Sequence, residues 1–509
     1  MDAQIALNYG PTKGPLRSVF MEPLFQLQIA LPPRGSRSIL ASLHTQLRTA
    51  ILDGRLKPGL RLPSTRAWRA LYGVSRNTAV AAYELLLSEG YVVAQRGSGT
   101  VVADSLHRSS KPRDVHNAAR AQRRLNPYWR AFSSRESRER HSVETDAAPS
   151  LTFQIGVPDL ASFPYELWRR LSMRTLRRFR ARPALVADPQ GEAWLREAIA
   201  RHVSFARAVA CNPQDIIVTA GAQQAFDLLA RVLARLERAP VALENPGYPP
   251  LLAAFASHGS RIALVSVDEE GMLVERLPRG ARVVCVTPSH QFPLGVVMSA
   301  QRRLALLEFC RRRGAVVIED DYDAEFRFSD RPLDALQTLD RAECVFYVGT
   351  FSKSLMPDLR LGYIVAPPWA LAPLVAAKRI ADGQCSVLAQ STLALLISEG
   401  HLARHVRRMQ RIYRARRDLL LHELRSRFER WFQVLPSVAG LHLTVQLDRA
   451  YEEDRVIESA IRQGVRVAPL RRFYPGAPTM RGLVLGYGNI DERGIEEGLD
   501  RLHRSLLGA

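Results

Sequence analysis

A chain of 509 residues that is 47% hydrophobic can bury more than one sizeable core, and its 71 lysines and arginines against 50 acids (net +21) point to a polyanionic partner. No uninterrupted apolar run approaches a membrane span, and the N-terminus shows no basic stretch leading into an apolar one. The five cysteines (Cys211, Cys285, Cys310, Cys344, Cys385) fall in no CxxC or Cys/His spacing, which predicts reduced core thiols, no metal centre and a cytoplasmic protein.

After an N-terminal extension over 1–37, residues 38–103 carry three helical patterns. In the first, Ser38 is positioned to cap a helix whose stripe is Leu40, Leu43, Leu47 and Ile51, closed by Asp53-Gly54. Ser64 is positioned to cap a short second helix running through Arg66 and Arg69 to Leu71. Gly73-Val74 makes a turn, and Ser75 caps a third helix that turns Val80, Tyr83 and Leu87 inward and stops at Gly90. Residues 91–102 then read as two short strands about a Gly-rich turn. Helix, helix, turn, helix and hairpin make a winged helix-turn-helix.

The runs Gly54-Arg55-Leu56-Lys57-Pro58-Gly59, Leu62-Pro63-Ser64-Thr65-Arg66 and Gly73-Val74-Ser75-Arg76-Asn77-Thr78 resemble the GntR-type DNA-binding domain. Such a third helix enters the major groove with its first turn at base edges, which puts Arg76, Asn77 and Thr78 there. Arg66, Arg96 and the backbone amides at Ser75 suit phosphates, and Ser64, at the start of the second helix, is counted among the DNA-binding residues. The partner implied is a double-stranded DNA operator.

Residues 104–150 are rich in arginine, serine and glutamate with little apolar period, and read as a basic interdomain linker. From 151 to 509 the pattern is α/β. Strand-like runs at Ile216–Thr219, Val283–Val286, Ala315–Ile318 and Val345–Val348 alternate with amphipathic helices such as 301–312, which predicts a largely parallel sheet with its chemistry at strand ends.

Sixty-six of the seventy-one basic residues are arginine, yet a lysine stands in Gly349-Thr350-Phe351-Ser352-Lys353-Ser354. Arginine supplies charge, but it cannot lose its proton and attack a carbonyl; a desolvated lysine can. Asp320-Asp321-Tyr322 follows a neighbouring strand. A lysine, an aspartate and a tyrosine at adjacent strand ends are what a pyridoxal phosphate site requires.

This region resembles the fold-type I, class I aminotransferases, and the whole chain resembles the MocR/GabR-type regulators, a GntR winged helix fused to an aminotransferase-like domain. The resemblance implies Lys353 as the Schiff-base lysine, Asp320 as partner of the ring nitrogen and Tyr322 as donor to the ring oxygen. It implies Tyr248 stacked on the cofactor face, and phosphate held by Arg360, Thr350, Ser352 and the amides of Ala222 and Gln223. His290, in Thr287-Pro288-Ser289-His290-Gln291-Phe292-Pro293-Leu294-Gly295, is read as an orienting group of the cofactor loop. Asp321 and Asp323 are read as turn or ion-pair acids.

Three positions depart from the aminotransferase pattern. Phe292 stands where an asparagine touches the ring oxygen, so Tyr322 is expected to lack that partner. Val186 stands where a tyrosine reaches the phosphate across a dimer. Val484, in Leu483-Val484-Leu485-Gly486-Tyr487, occupies the place of the arginine that clamps a substrate carboxylate, with Arg481 three residues off. The function implied is a pyridoxal-phosphate-dependent transcriptional regulator that senses an amine or amino acid, or the cofactor itself, through aldimine chemistry at Lys353, with weak transamination at most. The alternative is an active aminotransferase with an accessory DNA-binding domain. By resemblance the assembly is a head-to-tail, domain-swapped homodimer.

Overall fold

The computed structural model describes residues 29–33, 36, 38–95, 99–103, 126–133, 151–180, 188–234, 239–323, 325–328 and 334–507. Arg96, Val186 and most of 1–37 and 104–150 therefore lie outside the described residues. The chain divides into two compact units, Met1–Leu125 and Asn126–Ala509.

In the first unit α1 (Ile39–Leu52), α2 (Thr65–Tyr72) and α3 (Arg76–Ser88) precede an antiparallel hairpin of β1 (Val92–Gln95) and β2 (Gly99–Val102). Leu43, Leu47 and Ile51 are buried, as the stripe predicts. Two of the three expected caps form. The Ser64 hydroxyl accepts from the Ala67 amide at 3.2 Å, and that of Ser75 from the Thr78 amide at 3.1 Å. Ser38 does not cap, because its backbone is already helical and its hydroxyl bonds Ser36 at 2.7 Å instead. The inward face of α3 is also rotated from expectation. Ala79, Ala82, Tyr83 and Leu86 are buried, Val80 is half-buried and Leu87 is 47% exposed. The turn is fixed by a buried chain of bonds in which Trp68 Nε1 donates to the Tyr83 hydroxyl and that hydroxyl donates to the Pro63 carbonyl, both at 2.7 Å.

The second unit is built on an eight-stranded sheet. Its strands are β3 (Ile216–Thr219), β4 (Val241–Asn245), β5 (Ile262–Asp268), β6 (Gly271–Met272), β7 (Val283–Val286), β8 (Val316–Asp321), β9 (Val345–Thr350) and β10 (Gly362–Val365). The spatial order is β3-β10-β9-β8-β7-β4-β5-β6. Pairings from β9 across to β5 are parallel, while β10 runs antiparallel to both its neighbours and β6 to β5. Two reversals around β10 restore β3 to the direction of β9, so β3, β4, β5, β7, β8 and β9 all end on one edge. Both sheet faces are covered, which is why these strands read as continuous Val/Ile runs.

β8 and β9 run two to three residues further than their apolar runs suggest. Polar Asp320, Asp321 and Thr350 are thus strand residues rather than loop residues. The helices that position functional groups are α4 (Ala193–Arg207), α5 (Ala222–Leu233), α6 (Pro249–Ser257), α7 (Ala300–Arg313) and α8 (His401–Arg427). A smaller sheet, β11 (Phe432–Val434), β12 (His442–Leu447), β13 (Ala468–Pro469) and β14 (Gly482–Gly486), follows in the order β11-β12-β14-β13. Among the described residues no helix is long and apolar enough to cross a membrane. All five cysteines are free thiols.

Candidate functional site

Because six strands end on the same edge, residues far apart in sequence meet there. Asp320 lies within β8, paired in register with Val348 of β9. Lys353 follows β9 by three residues, and its Nζ donates to the Gly156 carbonyl at 2.5 Å. A Cβ added at Gly156, where φ is +69°, would stand 2.7 Å from that nitrogen, so glycine is what lets the chain pass the lysine. Burial pushes the Lys353 amine below the ordinary lysine range, with Asp323 and Asp320 opposing. Burial first, then repulsion from Asp321 and Asp323, pushes the Asp320 carboxyl well above the carboxylate range, with Lys353 opposing. Its Oδ1 is buried with no hydrogen-bond partner.

Tyr322 sits immediately beyond β8, its hydroxyl 2.9 Å from His290 Nδ1. That nitrogen lies 2.9 Å from Asp323 Oδ2. His290, Asp323 and His442 are all buried, each with a ligand-type atom within 4.8 Å of the others'. Desolvation drives His442 well below the ordinary histidine range, and His290 adds to it. The loop that carries His290 is braced by Glu244 of β4, whose Oε2 accepts from Thr287 Oγ1 at 2.6 Å and from the Thr287 amide at 3.1 Å. Full burial raises Glu244 to about 7, with those bonds opposing.

Phe292 joins the two halves of the site. Its ring lies 5.5 Å from Tyr248, 5.9 Å from Tyr322 and 5.3 Å from His442. Tyr248 caps α6 with 37% of its surface exposed; burial raises its phenol to about 12, with Asp320 adding and Arg360 opposing. Arg360 adopts a left-handed φ of +49° and donates from Nη2 to the Ala220 carbonyl at 2.7 Å. That places its guanidinium beside Gly221, Ala222 and Gln223, at the N-terminus of α5. Thr350 Oγ1 donates to Ser352 Oγ at 3.0 Å. Guanidiniums, hydroxyls and the first amides of a helix are the groups that stabilise an anion.

Val484 is fully buried on β14, paired with Thr444 and Ala468, in an apolar cluster with Phe292, Leu470, Phe473 and Tyr474. Arg481 is exposed. Asp321 is an ion-pair acid as read, bonding Arg207 of α4 at 2.7 Å and Tyr347 at 2.6 Å.

In the first unit Arg76 and Asn77 are exposed on the first turn of α3, and Thr78 Oγ1 lies 2.8 Å from Ser75 Oγ. Arg66 is exposed on α2. Arg61 was not anticipated. Its Nε would stand 3.3 Å from a Cβ at Gly99, which puts the guanidinium against the wing. The sequence signal for it, an arginine just before Leu62-Pro63-Ser64, gives no hint of that placement.

The class I and II aminotransferase model matches residues 177–502, and the model of bacterial regulatory proteins of the gntR family matches residues 41–102. The chain is 36% identical to the probable rhizopine catabolism regulatory protein MocR of Rhizobium meliloti, covering 91% of this chain and 93% of that one. This chain belongs to the MocR-type regulators. Another relative, the pyridoxine biosynthesis transcriptional regulator PdxR of Corynebacterium glutamicum, is 32% identical over 92% of this chain and 96% of its own. Among solved structures, Pyrococcus horikoshii kynurenine aminotransferase, solved in complex with PMP, is similar at 28% identity and a TM-score of 0.67, covering 73% of this chain and 94% of that one. The MocR-type architecture is thus a GntR helix-turn-helix followed by a fold-type I aminotransferase domain, and the protein is a DNA-binding transcriptional regulator.

Proposed function

We propose that this regulator holds pyridoxal 5'-phosphate at the strand-end site and uses Lys353 to register an amine or amino acid, or the cofactor itself, altering its hold on a DNA operator. The observation that carries the reading is the buried, unpartnered Asp320 Oδ1 beside a desolvated lysine. A carboxyl whose charged form burial disfavours, with Lys353 opposing, fits a site awaiting a cationic N–H.

When bound, the cofactor supplies an aldehyde that captures primary amines and a pyridine ring that draws off electron density. Burial keeps a larger share of the Lys353 amine neutral and nucleophilic than in water. Asp320 would accept from the protonated ring nitrogen, whose charge would offset the cost of burying the carboxylate. Tyr322 offers its phenol to the ring oxygen, and Tyr248 a half-exposed aromatic face. Arg360, Thr350, Ser352 and the amides of Ala222 and Gln223 would hold the phosphate, and His290 orients Tyr322.

Val484, buried in an apolar cluster with Phe292, is read as taking the place of the arginine that clamps a substrate carboxylate in aminotransferases. Loss of such a clamp weakens carboxylate binding by about 2–5 kcal/mol, which favours sensing over turnover. An effector moves the DNA-binding units only insofar as it favours one arrangement of them over another. The working assembly in this reading is a cytoplasmic, head-to-tail, domain-swapped homodimer in which residues 104–150 set the spacing of two winged helices.

The test is the visible absorbance of the purified protein during titration with a panel of amines and amino acids. A cofactor band that shifts and then persists supports a sensor and identifies its ligand. Decay of the band with release of keto acid would make the protein an aminotransferase instead. No band after addition of pyridoxal phosphate would refute the cofactor site.

A further inference from the structure

α8 is the longest helix among the described residues and carries nine arginines in 27 residues. Its buried side is apolar, with Leu402, Val406, Met409, Tyr413 and Leu420 packed inward. On the opposite arc Arg404, Arg407, Arg408, Arg411 and Arg414 are exposed, spaced so that successive guanidiniums share one face over about 15 Å. No acid interrupts the helix before Asp418.

Several other exposed arginines of this unit are paired locally. Arg311 and Arg312 of α7 both reach Glu308, and Arg174 reaches Glu399. The ridge is different. Arg407, Arg408, Arg411 and Arg414 meet no carboxylate among the described residues, and the one aromatic contact is Arg414 over Phe328, at 5.9 Å. Arg404, Arg407, Gln410, Arg411 and Arg414 line a shallow groove of about 610 Å³. Like charges at three- and four-residue spacing on a helix repel. Such a stripe is favourable when a polyanion neutralises it.

We propose that this arginine ridge is a second, sequence-independent DNA contact, carried by the aminotransferase-like unit itself. The polyanion is DNA because the same chain brings a helix-turn-helix to it, so phosphates adjoining that site are present at high effective concentration. Guanidiniums bind phosphate oxygens bidentately, and a row of them on a straight helix follows a backbone without reading bases. The proposal is independent of what occupies the Lys353 site.

Counterion release makes it measurable. Each phosphate neutralised adds about 0.9 to the slope of log K against log salt. Full-length protein would be titrated with a mixed-sequence duplex of about 60 base pairs between about 50 and 200 mM salt, with thermal unfolding as the folding control. Arg407→Gln/Arg411→Gln/Arg414→Gln should lower the slope by about two to three. Arg311→Gln/Arg312→Gln/Arg313→Gln, which removes equal charge from α7, should leave it unchanged. Should the ridge variant fold poorly, Arg411→Gln alone should lower the slope by about 0.9. An unchanged slope would assign the ridge to another polyanion, such as an acidic protein, and overturn the proposal. An equal fall in both triple variants would reduce the effect to net charge and overturn it as well.

Discussion

The hydroxyl of Tyr322 lies 2.9 Å from Nδ1 of His290, and Asp323 Oδ2 lies 2.9 Å from the same nitrogen. The phenol that was expected to lack a partner, because Phe292 replaces an asparagine, thus finds one in a buried His–Asp pair. Desolvation raises Tyr322 well above the ordinary tyrosine range, and the Asp323 charge adds to it. The same charge raises Lys353 against its desolvation.

Asp323→Asn should therefore lower the pKa of Lys353 further. Uptake of pyridoxal phosphate by the apoprotein needs the neutral amine. Its rate, followed by growth of the visible band, should reach half-maximum at a lower pH than in the parent. An unmoved midpoint would show that Asp323 acts through packing alone.

Lys353→Ala should abolish the visible cofactor band and leave most of the bare DNA affinity, because the two sites lie on separate units. Absorbance and electrophoretic mobility on the same preparation decide it. A retained band would remove Lys353 from its role.

Asp320 has a folded pKa raised above its unfolded value of about 4. Its stabilising contribution is complete below that unfolded value and is lost as pH rises through the folded one. In the apoprotein at neutral pH the group therefore costs stability. Asp320→Asn should raise the apoprotein's melting temperature at pH 7, with the gain shrinking as pH falls toward about 4. The variant should also hold pyridoxal phosphate more weakly, and a gain of the same size at both pH values would contradict the argument.

Arg207 and Asp321 form an ion pair with side chains 6% and 2% exposed. Asp321 joins α4 to the end of β8, and Arg207 also donates to Ser289 Oγ at 2.7 Å. Arg207→Met leaves a buried carboxylate without its cation and should cost about 3–5 kcal/mol, read from the denaturation midpoint. A loss below about 1 kcal/mol would mean that Tyr347 alone satisfies Asp321.

Arg76→Ala should relax preference at one base pair of the selected operator by about 1–3 kcal/mol, measured by binding-site selection followed by competition. A uniform loss on all sequences would make Arg76 a phosphate contact.

Features set within a few residues were legible in the chain. Ser64 and Ser75 cap because an extended backbone at each turns its hydroxyl onto the amide three residues on, and the helix, turn and hairpin order follows from such local signals. Lys353 stood out because arginine replaces lysine almost everywhere else and cannot do its chemistry. The inward face of α3 is not legible in the chain, because Ala79 and Ala82 carry little apolar signal, although tertiary contact buries them fully.

The sequence by itself determined the two-part architecture, the strand-end motifs and the residue types of the cofactor site, since caps, glycines and apolar runs act over a few residues. Only the tertiary structure decided which groups meet. Parallel strands bring Asp320, Lys353, Tyr248 and His290 to one edge, and His290 reaches Tyr322 across 32 positions of chain. It also decided that α8 turns its unpaired arginines outward. Such contacts depend on strand order and burial, which long-range packing sets and no local pattern encodes.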